Sequence, residues 1–433
     1  MGSHRGPAAD GAAGGSGLTD PSTIRFEDAV RAHSGRILAA LVGRFRDLTL
    51  AEESLQDAWL AAAEHWPVDG WPDRPDSWVY SVAARRALDT IKANRRRSDR
   101  ERVAHDEADR RDLDDIDRRL ERWDSGIDDD RLRLIFTCCH PCLDVEAQIA
   151  LTLRSVAWLT TDEIASAFGV PTTTMGQRIV RAKQRIARAD VPYRVPSGAE
   201  LPERVDAVLR VVYLVFNESY LSARPGQPLR VDLAAEAIRL GRELAELMPD
   251  EPEAIGLLAL MLVLHGRSPA RFDGAGDLVL LADQRRDRWD HDSIAEGSAL
   301  LEAAMRRRSV GPYQLQAAIN ALHSQAPTFD ETDWTQIAAL YGVLATVDPG
   351  PVVAMNRAVA IGYASGPGAG LKALDEIDPR RLPGEHRFHV ARGEFLVRLG
   401  RCDEAAGEFD RALALATTEP ERRHLERRRA ALR

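Results

Sequence analysis

The sequence LTTDEIASAFGVPTTTMGQRIVRAKQRIAR, residues 159–188, has the pattern of two helices joined by a tight turn. Thr160 and Glu163 have the spacing of a capping box, which begins a helix. Gly169 can take the left-handed conformation that ends a helix, and the Val-Pro pair after it prevents simple continuation. The three threonines at 172–174 offer N-caps for the second helix. This stretch therefore predicts a helix–turn–helix.

The second of these helices has one apolar side and one polar side. Met175, Ile179 and Ile186 recur at helical spacing and predict the buried side. The opposite side carries polar and basic residues at similar spacing: Thr174, Gln177, Arg178, Arg181 and Arg185. No acidic residue occurs between residues 164 and 189. The pattern fits either an ordinary solvated helix or one that lies against DNA, and the absence of acidic residues favours DNA.

A helix of this kind fits the major groove of DNA. There Arg and Gln can bind the edges of guanine and adenine, while Thr and other basic residues hold phosphates. We therefore predict a DNA-reading surface formed by Thr172, Thr173, Thr174, Gln177, Arg178, Arg181, Lys183 and Arg185.

A second basic segment precedes the helix–turn–helix in the chain. The whole chain is acidic, with a formal net charge of -9. However, six basic residues lie between Lys92 and Arg102, whereas 12 acidic and 5 basic residues lie between Val103 and Asp130. Two basic blocks separated by an acidic linker predict two DNA-facing modules on a tether.

The first module, residues 23–97, spaces its apolar residues as helices do. Thr49 and Glu52 predict a capping box at the start of its second helix. Several prolines then predict a loop that holds Trp66 and Trp71. A single-stranded base can stack on such rings, although each ring taken alone is more typical of packing on its own small core. A third helix is expected to follow the loop and to end in the basic block.

Helical patterns run through the chain, so we predict an all-α fold. It has two small helical domains joined by an acidic linker, then a long helical extension. The predicted segments are a disordered tail at 1–22, the first module at 23–97, the acidic linker at 98–130, the helix–turn–helix domain at 131–190, a linker at 191–202 and the extension at 203–433.

Two features stand out in the extension. The small and aromatic residues Gly393, Ala405, Phe409 and Ala412 have the spacing of a tetratricopeptide-type helix pair, and residues 351–374 resemble a degenerate copy. Near its start, Asn217, Glu218 and Tyr220 are interpreted as residues that fasten domains together.

Other classes of protein have little support. No apolar run is long enough for a membrane span, and the four cysteines form no disulfide framework, which fits a reducing cytoplasm. Cys138, Cys139, His140 and Cys142 lack a second ligand pair, so buried cysteines are favoured over a metal site. No nucleophile elbow, phosphate loop or zinc-protease helix is present, so we expect no catalytic residue and no cofactor.

These residues resemble a known family. Residues 23–97 are similar to the second conserved region of extracytoplasmic-function sigma factors of the sigma-70 family, and residues 131–189 are similar to the fourth. The remainder resembles the subgroup with a tetratricopeptide-like C-terminal extension. The resemblance is carried by residues 51–59, 77–89, 150–154, 159–165 and 178–183, and by three longer signatures at 134–141, 213–220 and 311–318.

The resemblance implies roles for particular residues. Gln56, Asp57 and Trp59 match the helix that docks on core RNA polymerase. The part that captures the minus-ten promoter element corresponds to Trp66, Trp71, Trp78, Arg85, Arg86, Lys92, Arg95 and Arg96. The predicted DNA-reading surface corresponds to the helix that reads the minus-thirty-five element.

The resemblance also implies a role for the extension. It would regulate the factor, together with a small partner protein of the YCII-like, DGPF-motif type, and would need no membrane partner. A different interpretation stays open. The chain could be a helical-repeat scaffold that binds a protein partner and uses its N-terminal half only as a DNA tether.

Overall fold

The computed structural model describes residues 21–99, 127–222, 233–273, 277, 279–382, 384–416 and 419–432. Within these residues the backbone forms 18 α-helices and no β-strand, so the all-α prediction is confirmed. Residues 1–20 of the predicted tail and 100–126 of the acidic linker lie outside the described residues, whereas residues 21 and 22, predicted to be disordered, begin the first helix. The chain divides into two compact units, residues 1–131 and 132–433. The finer boundaries at 97, 190 and 202 stay predictions.

The first unit is built on three packed helices, α1 (Pro21–Phe45), α2 (Leu48–Asp69) and α3 (Pro75–Asp99). Two predictions for α2 are wrong. Asp47 caps the helix by accepting a hydrogen bond from the Leu50 amide at 3.0 Å, so Thr49 and Glu52 do not begin it. Pro67 lies inside α2, which places Trp66 on the helix and leaves only a short connection before α3.

The helix–turn–helix lies at the start of the second unit. The domain that contains it comprises α4 (Ile127–Cys138), α5 (Val145–Ser155), α6 (Thr161–Ala167) and α7 (Thr172–Arg188), of which α6 and α7 form the helix–turn–helix itself. α7 packs on both α5 and α6. Because α5 and α6 hold one side of α7, the opposite side is turned outward.

The extension follows in the same unit as a succession of helices. They are α8 (Leu201–Ser222), α9 (Leu233–Leu247), α10 (Pro252–Gly266), α11 (His291–Met305), α12 (Pro312–Gln325), α13 (Trp334–Val347), α14 (Pro351–Ala364), α15 (Pro367–Asp375), α16 (His386–Arg398), α17 (Cys402–Leu415) and α18 (Glu419–Ala430). Most of these helices pack mainly on their neighbours along the chain, and α10 also packs extensively on α12. Such nearest-neighbour packing is typical of tetratricopeptide-like solenoids.

The helix pair α16 and α17 forms as its spacing predicts. Ala405, Phe409 and Ala412 are completely buried. A Cβ atom at Gly393 would lie 2.9 Å from the Phe409 ring, so glycine allows the two helices to approach. Gly400 ends α16 with a φ of 74°, in the left-handed region that favours glycine.

The predicted degenerate copy corresponds to α14 and α15, which also pack together. Its small residue is Gly362, where a Cβ atom would overlap the Phe395 ring of α16. The extension therefore uses the same type of contact twice: a glycine packs against a phenylalanine between α14 and α16 and again between α16 and α17.

Candidate nucleic-acid interface

The first helix of the helix–turn–helix, α6, begins and ends as the sequence predicts. The Thr160 hydroxyl accepts from the Glu163 amide at 3.2 Å, and the Glu163 carboxylate accepts from the Thr160 amide at 2.8 Å. Gly169 has a φ of 62°, as expected for a residue that ends α6. The prediction of a threonine N-cap is wrong, because Pro171 occupies that position. The Thr172 hydroxyl instead donates to Asp162 at 2.9 Å and fastens the start of α7 to α6.

The apolar side of α7 is closed off from solvent. Met175, Ile179, Ala182 and Ile186 are all buried. Since α5 and α6 cover this side, the helix cannot turn its polar side inward without exposing four apolar residues.

The outward side of α7 is polar and exposed. It carries Thr173, Gln177, Arg181, Gln184 and Arg188, with the half-exposed Val180 between them. The predicted residues Thr172 and Thr174 are exposed at its N-terminal end, whereas Lys183 is only partly exposed. Sequence reasoning missed Val180 and Gln184, because it placed the polar side by its arginines and not opposite the buried residues.

One flank of α7 faces acidic residues of α5. Arg178 lies with Nη2 2.6 Å from the Glu146 carboxylate, and Arg185 lies with Nη1 3.6 Å from the Asp144 carboxylate. A groove of about 530 Å³ runs between the two helices and is lined by these four residues together with Gln177 and Arg181. No periodic pattern in the sequence predicts this contact, because more than thirty residues separate the partners.

An aromatic cluster joins the helices of the first unit. The Trp66 ring is buried among Phe26, Trp59, Trp71 and Trp78, with ring centroids 4.7 to 5.9 Å apart. Trp66 therefore has no free face for a base, which corrects its assignment to a loop and agrees with the alternative that the ring packs on its own small core. Trp71 and Trp78 are only partly buried. The guanidinium of Arg25 stacks over the Trp71 ring at 4.1 Å, as a cation–π pair.

Basic residues follow Trp78 along α3. Trp78, Arg85 and Lys92 recur every seven residues, about two helical turns, and so share one side. Arg85 and Arg86 are exposed and Lys92 is partly exposed. The side chains of Arg95 and Arg96 lie outside the described part of the chain.

The predicted polymerase-docking residues lie on α2. Gln56 and Asp57 are exposed, whereas Trp59 is 6% exposed and packs in the aromatic cluster. A partner on this helix would therefore meet the two polar residues, while Trp59 supports the helix from inside.

The helix–turn–helix domain is joined to the extension by packing of α5 on α8. Arg204 on α8 donates to the backbone carbonyl of Phe136 at 2.5 Å, near the end of α4. Asn217 is half-buried on α8, and the side chains of Glu218 and Tyr220 lie outside the described residues. The sequence interpretation thus missed Arg204 as a residue that joins the two parts.

The cysteine-rich turn after α4 belongs to the same junction. Cys138 and Cys139 are buried, and burial raises the pKa of the Cys139 thiol to about 11. The Gln148 amide donates to the carbonyls of Cys139, His140 and Leu143, at 3.1 to 3.3 Å. Among the described residues no group of three His, Cys, Asp or Glu is placed to hold a metal ion.

Comparisons with known proteins match these elements. The chain matches the family models of Sigma-70 region 2 at residues 29–97 and Sigma-70, region 4 at residues 133–186. Residues 204–305 match a family of unknown function, DUF6596. An uncharacterized protein of Rhizobium meliloti (strain 1021) is 44% identical over 386 residues, which cover 89% of this chain and 90% of that protein. The chain belongs to the sigma-70 family.

The sigma-70 regions coincide with the two modules predicted from the sequence. Region 2 covers most of α1 and all of α2, and it ends in α3. Region 4 covers the second half of α4, all of α5 and α6, and nearly all of α7. The sigma factor carries a C-terminal extension, and the family of unknown function covers α8 to α11 of it. Sigma factors direct promoter-specific initiation of transcription and are not enzymes.

A comparison with solved structures adds little. The crystal structure of the yeast Tom70 aligns with 95% of this chain and 84% of its own, at 11% identity and a TM-score of 0.36. A likeness this low supports no conclusion.

Within the described residues, no helix combines the length and the apolar character that a membrane span requires.

Proposed function

We propose that this sigma factor binds core RNA polymerase in the cytoplasm and that α7 reads the minus-thirty-five element in the major groove. The observation that carries the proposal is that α7 has one buried side and one exposed side. Its apolar residues are buried on α5 and α6, while Thr173, Gln177 and Arg181 point to solvent. Arg and Gln on such a helix suit guanine and adenine edges. Gln56 and Asp57 would face the polymerase from α2.

The first unit would capture the minus-ten element as a single strand. The rings of Trp71 and Trp78 keep accessible surface, and Arg85, Arg86 and Lys92 lie on α3, the same helix as Trp78. Aromatic stacking with nearby basic residues is the usual way proteins hold unpaired bases. Arg25 would have to leave the Trp71 ring for a base to stack there.

The test is transcription from purified components. Core polymerase with this chain should initiate at promoters mapped from transcript starts, and Arg178→Ala with Arg181→Ala should weaken it strongly. Each base-contacting arginine contributes about 1–3 kcal/mol, so initiation should fall on the order of a hundredfold at limiting promoter concentration. The exposed arginines of the extension offer a matched control, Arg288→Ala with Arg306→Ala, which should transcribe as the wild type does.

The outcome that contradicts this proposal is also specific. If core polymerase fails to retain the wild-type chain in a pull-down, the chain does not act as proposed. If the double variant in α7 initiates as well as the control variant, α7 does not read the promoter.

We further propose that the extension regulates the factor, with a small protein of the YCII-like, DGPF-motif type as its partner. The support is that the helix–turn–helix domain and the extension belong to one compact unit, joined through Arg204. A change in the extension can therefore reach the DNA-reading domain through packed helices.

A scaffold function is the second candidate, and the tetratricopeptide-like helix pairs favour it. In that case the extension would bind a protein partner as the main activity, and promoter recognition would be dispensable. Transcription that persists in the Arg178 and Arg181 double variant would favour this function over the first.

A further inference from the structure

The arginines of α7 fall into two groups that differ in their neighbours. Arg181 and Arg188 lie on the exposed outward side. Arg178 lies on the flank toward α5, with 28% of its side chain exposed and its guanidinium 2.6 Å from Glu146. Arg185 lies on the same flank, 3.6 Å from Asp144. Two of the predicted DNA-reading arginines are therefore already paired with carboxylates.

The carboxylate of Asp144 is held in place by its own helix. Asp144 is the N-cap of α5, and its Oδ1 accepts from the Ala147 amide at 2.9 Å. This bond fixes the side chain, so that the second oxygen, Oδ2, faces Arg185. Glu146 is in the first turn of the same helix, where the helix dipole favours a negative charge. Neither carboxylate is a chance neighbour of α7, since α5 packs directly on it.

The two carboxylates are themselves open to solvent. The side chains of Asp144 and Glu146 are 67% and 72% exposed, and they border the groove that Gln177 and Arg181 also line. An exposed ion pair is weak, about 0–1 kcal/mol. Contacts with DNA can therefore replace these ion pairs. The replacement is favourable only where the phosphates or bases bind the arginines at least as strongly as the carboxylates do. Uncompensated carboxylates beside α7 would also repel the DNA backbone.

We propose that Glu146 and Asp144 are positioning residues that compete with phosphate for Arg178 and Arg185. By holding the two arginines on the α5 flank, they suppress sequence-independent binding and raise the preference for a correct promoter element. The inference rests on the proposed function, since it takes α7 as the helix that reads DNA. It predicts that neutralising the carboxylates makes DNA binding tighter but less selective.

The experiment uses the full chain assembled with core RNA polymerase. Affinity would be measured over a range of salt concentrations for a random-sequence duplex and for a duplex selected from a random pool by the wild-type complex. The variant is Asp144→Asn with Glu146→Gln, in which asparagine keeps the N-cap. For the random duplex, affinity should rise at low salt, and its slope against salt should steepen by about one for each arginine released. The ratio of selected to random affinity should fall several-fold.

The control separates this local effect from a change of net charge and from unfolding. Asp250 also pairs with an arginine at the surface, Arg307 at 3.3 Å, but in the extension and away from α7. Asp250→Asn should leave the salt slope and the affinity ratio at wild-type values. Glu146→Asp, which keeps the charge, should lie nearer to the wild type than Glu146→Gln. Unfolding of the double variant would appear as loss of affinity for both duplexes and a lower melting temperature.

Two results are decisive. If the double variant matches the wild type in salt slope and affinity ratio, or if it loses affinity while remaining folded, the inference is wrong and the proposed function stands. If the wild-type complex selects no duplex over random sequence, promoter reading by α7 fails, and the inference fails with it.

Discussion

At the scale of single residues, His323 makes the stability of the extension depend on pH. His323 lies on α12, with its ring centroid 5.0 Å from that of Trp334. Burial, reinforced by the charges of Arg267 and Arg286, lowers its pKa to about 4. The unfolded chain has the ordinary pKa near 6.5, so it binds a proton that the folded chain excludes. Stability is therefore complete above pH 6.5 and falls as the pH drops toward 4.

The expected loss from this residue is about 2 kcal/mol at pH 5. Urea unfolding of the full chain at pH 7 and pH 5 would measure it. His323→Phe keeps a ring against Trp334 but cannot be protonated, so its midpoint should fall less between the two pH values than that of the wild type. His291 is an exposed histidine of the extension, and His291→Gln should leave the wild-type difference unchanged. Equal pH dependence in wild type and His323→Phe would contradict the prediction.

At the scale of helices, the contact between α16 and α17 depends on the size of one residue. A Cβ atom at Gly393 would lie 2.9 Å from Phe409, which is completely buried. Gly393→Val should therefore force the helices apart and destabilise the chain by about 1–3 kcal/mol, measured by thermal unfolding. Gly407 lies on α17 with open space around its Cβ position. Gly407→Ala should instead stabilise the helix by up to about 1 kcal/mol. If both variants lower the stability of the chain by similar amounts, packing against Phe409 is not the cause of the destabilisation.

The same helices show what the sequence could predict. The pair α16 and α17 was predictable because Gly393 and Phe409 stand at fixed places in a repeated spacing, and each place has one physical role. The contact between Gly362 and Phe395 was not predictable, because the two residues are more than thirty positions apart and no local pattern links them. The start of α2 was misplaced because Thr49 and Asp47 are both good caps, and only the packed backbone selects Asp47.

The candidate site divides in the same way. The prediction that Met175, Ile179 and Ile186 are buried was correct, because their helical spacing lies within a single helix, α7. Trp66 was misjudged because Pro67 and the residues after it were read as a loop, whereas Pro67 lies inside the last turn of α2 and the helix carries the Trp66 ring into the core. Glu146 and Arg204 were missed because their partners lie on other helices. Charge pairs across a fold have no period from which they can be predicted.

At the scale of the whole molecule, the second unit depends on contacts between its DNA-reading part and its extension. Within the extension the signature stretches meet, since the Tyr213 hydroxyl lies 3.3 Å from the Gln316 side chain and the rings of Tyr213 and Tyr313 are 5.5 Å apart. Glu253 of α10 accepts from the amides of Tyr313 and Gln314 and so caps α12. α8 thus contacts α12 on one side and α5 of the helix–turn–helix domain on another.

Arg204 is the residue through which this coupling can be tested. Its bond to the Phe136 carbonyl is charge-assisted, and such bonds contribute about 1.5–3 kcal/mol. Arg204→Ala should lower the urea midpoint of the second unit and separate its unfolding into two transitions, because the extension no longer holds the end of α4. Promoter output in the purified transcription assay should change as well, if the extension regulates through this junction.

Arg194 provides the matched control for this change. It lies near the same junction and pairs with Glu200 at 2.9 Å, but both side chains are about half exposed. An exposed pair contributes about 0–1 kcal/mol, so Arg194→Ala should unfold and transcribe almost as the wild type does. If Arg204→Ala also keeps a single transition at the wild-type midpoint with unchanged output, the two parts are joined by apolar packing alone. The extension would then have to act on the DNA-reading helix by another route.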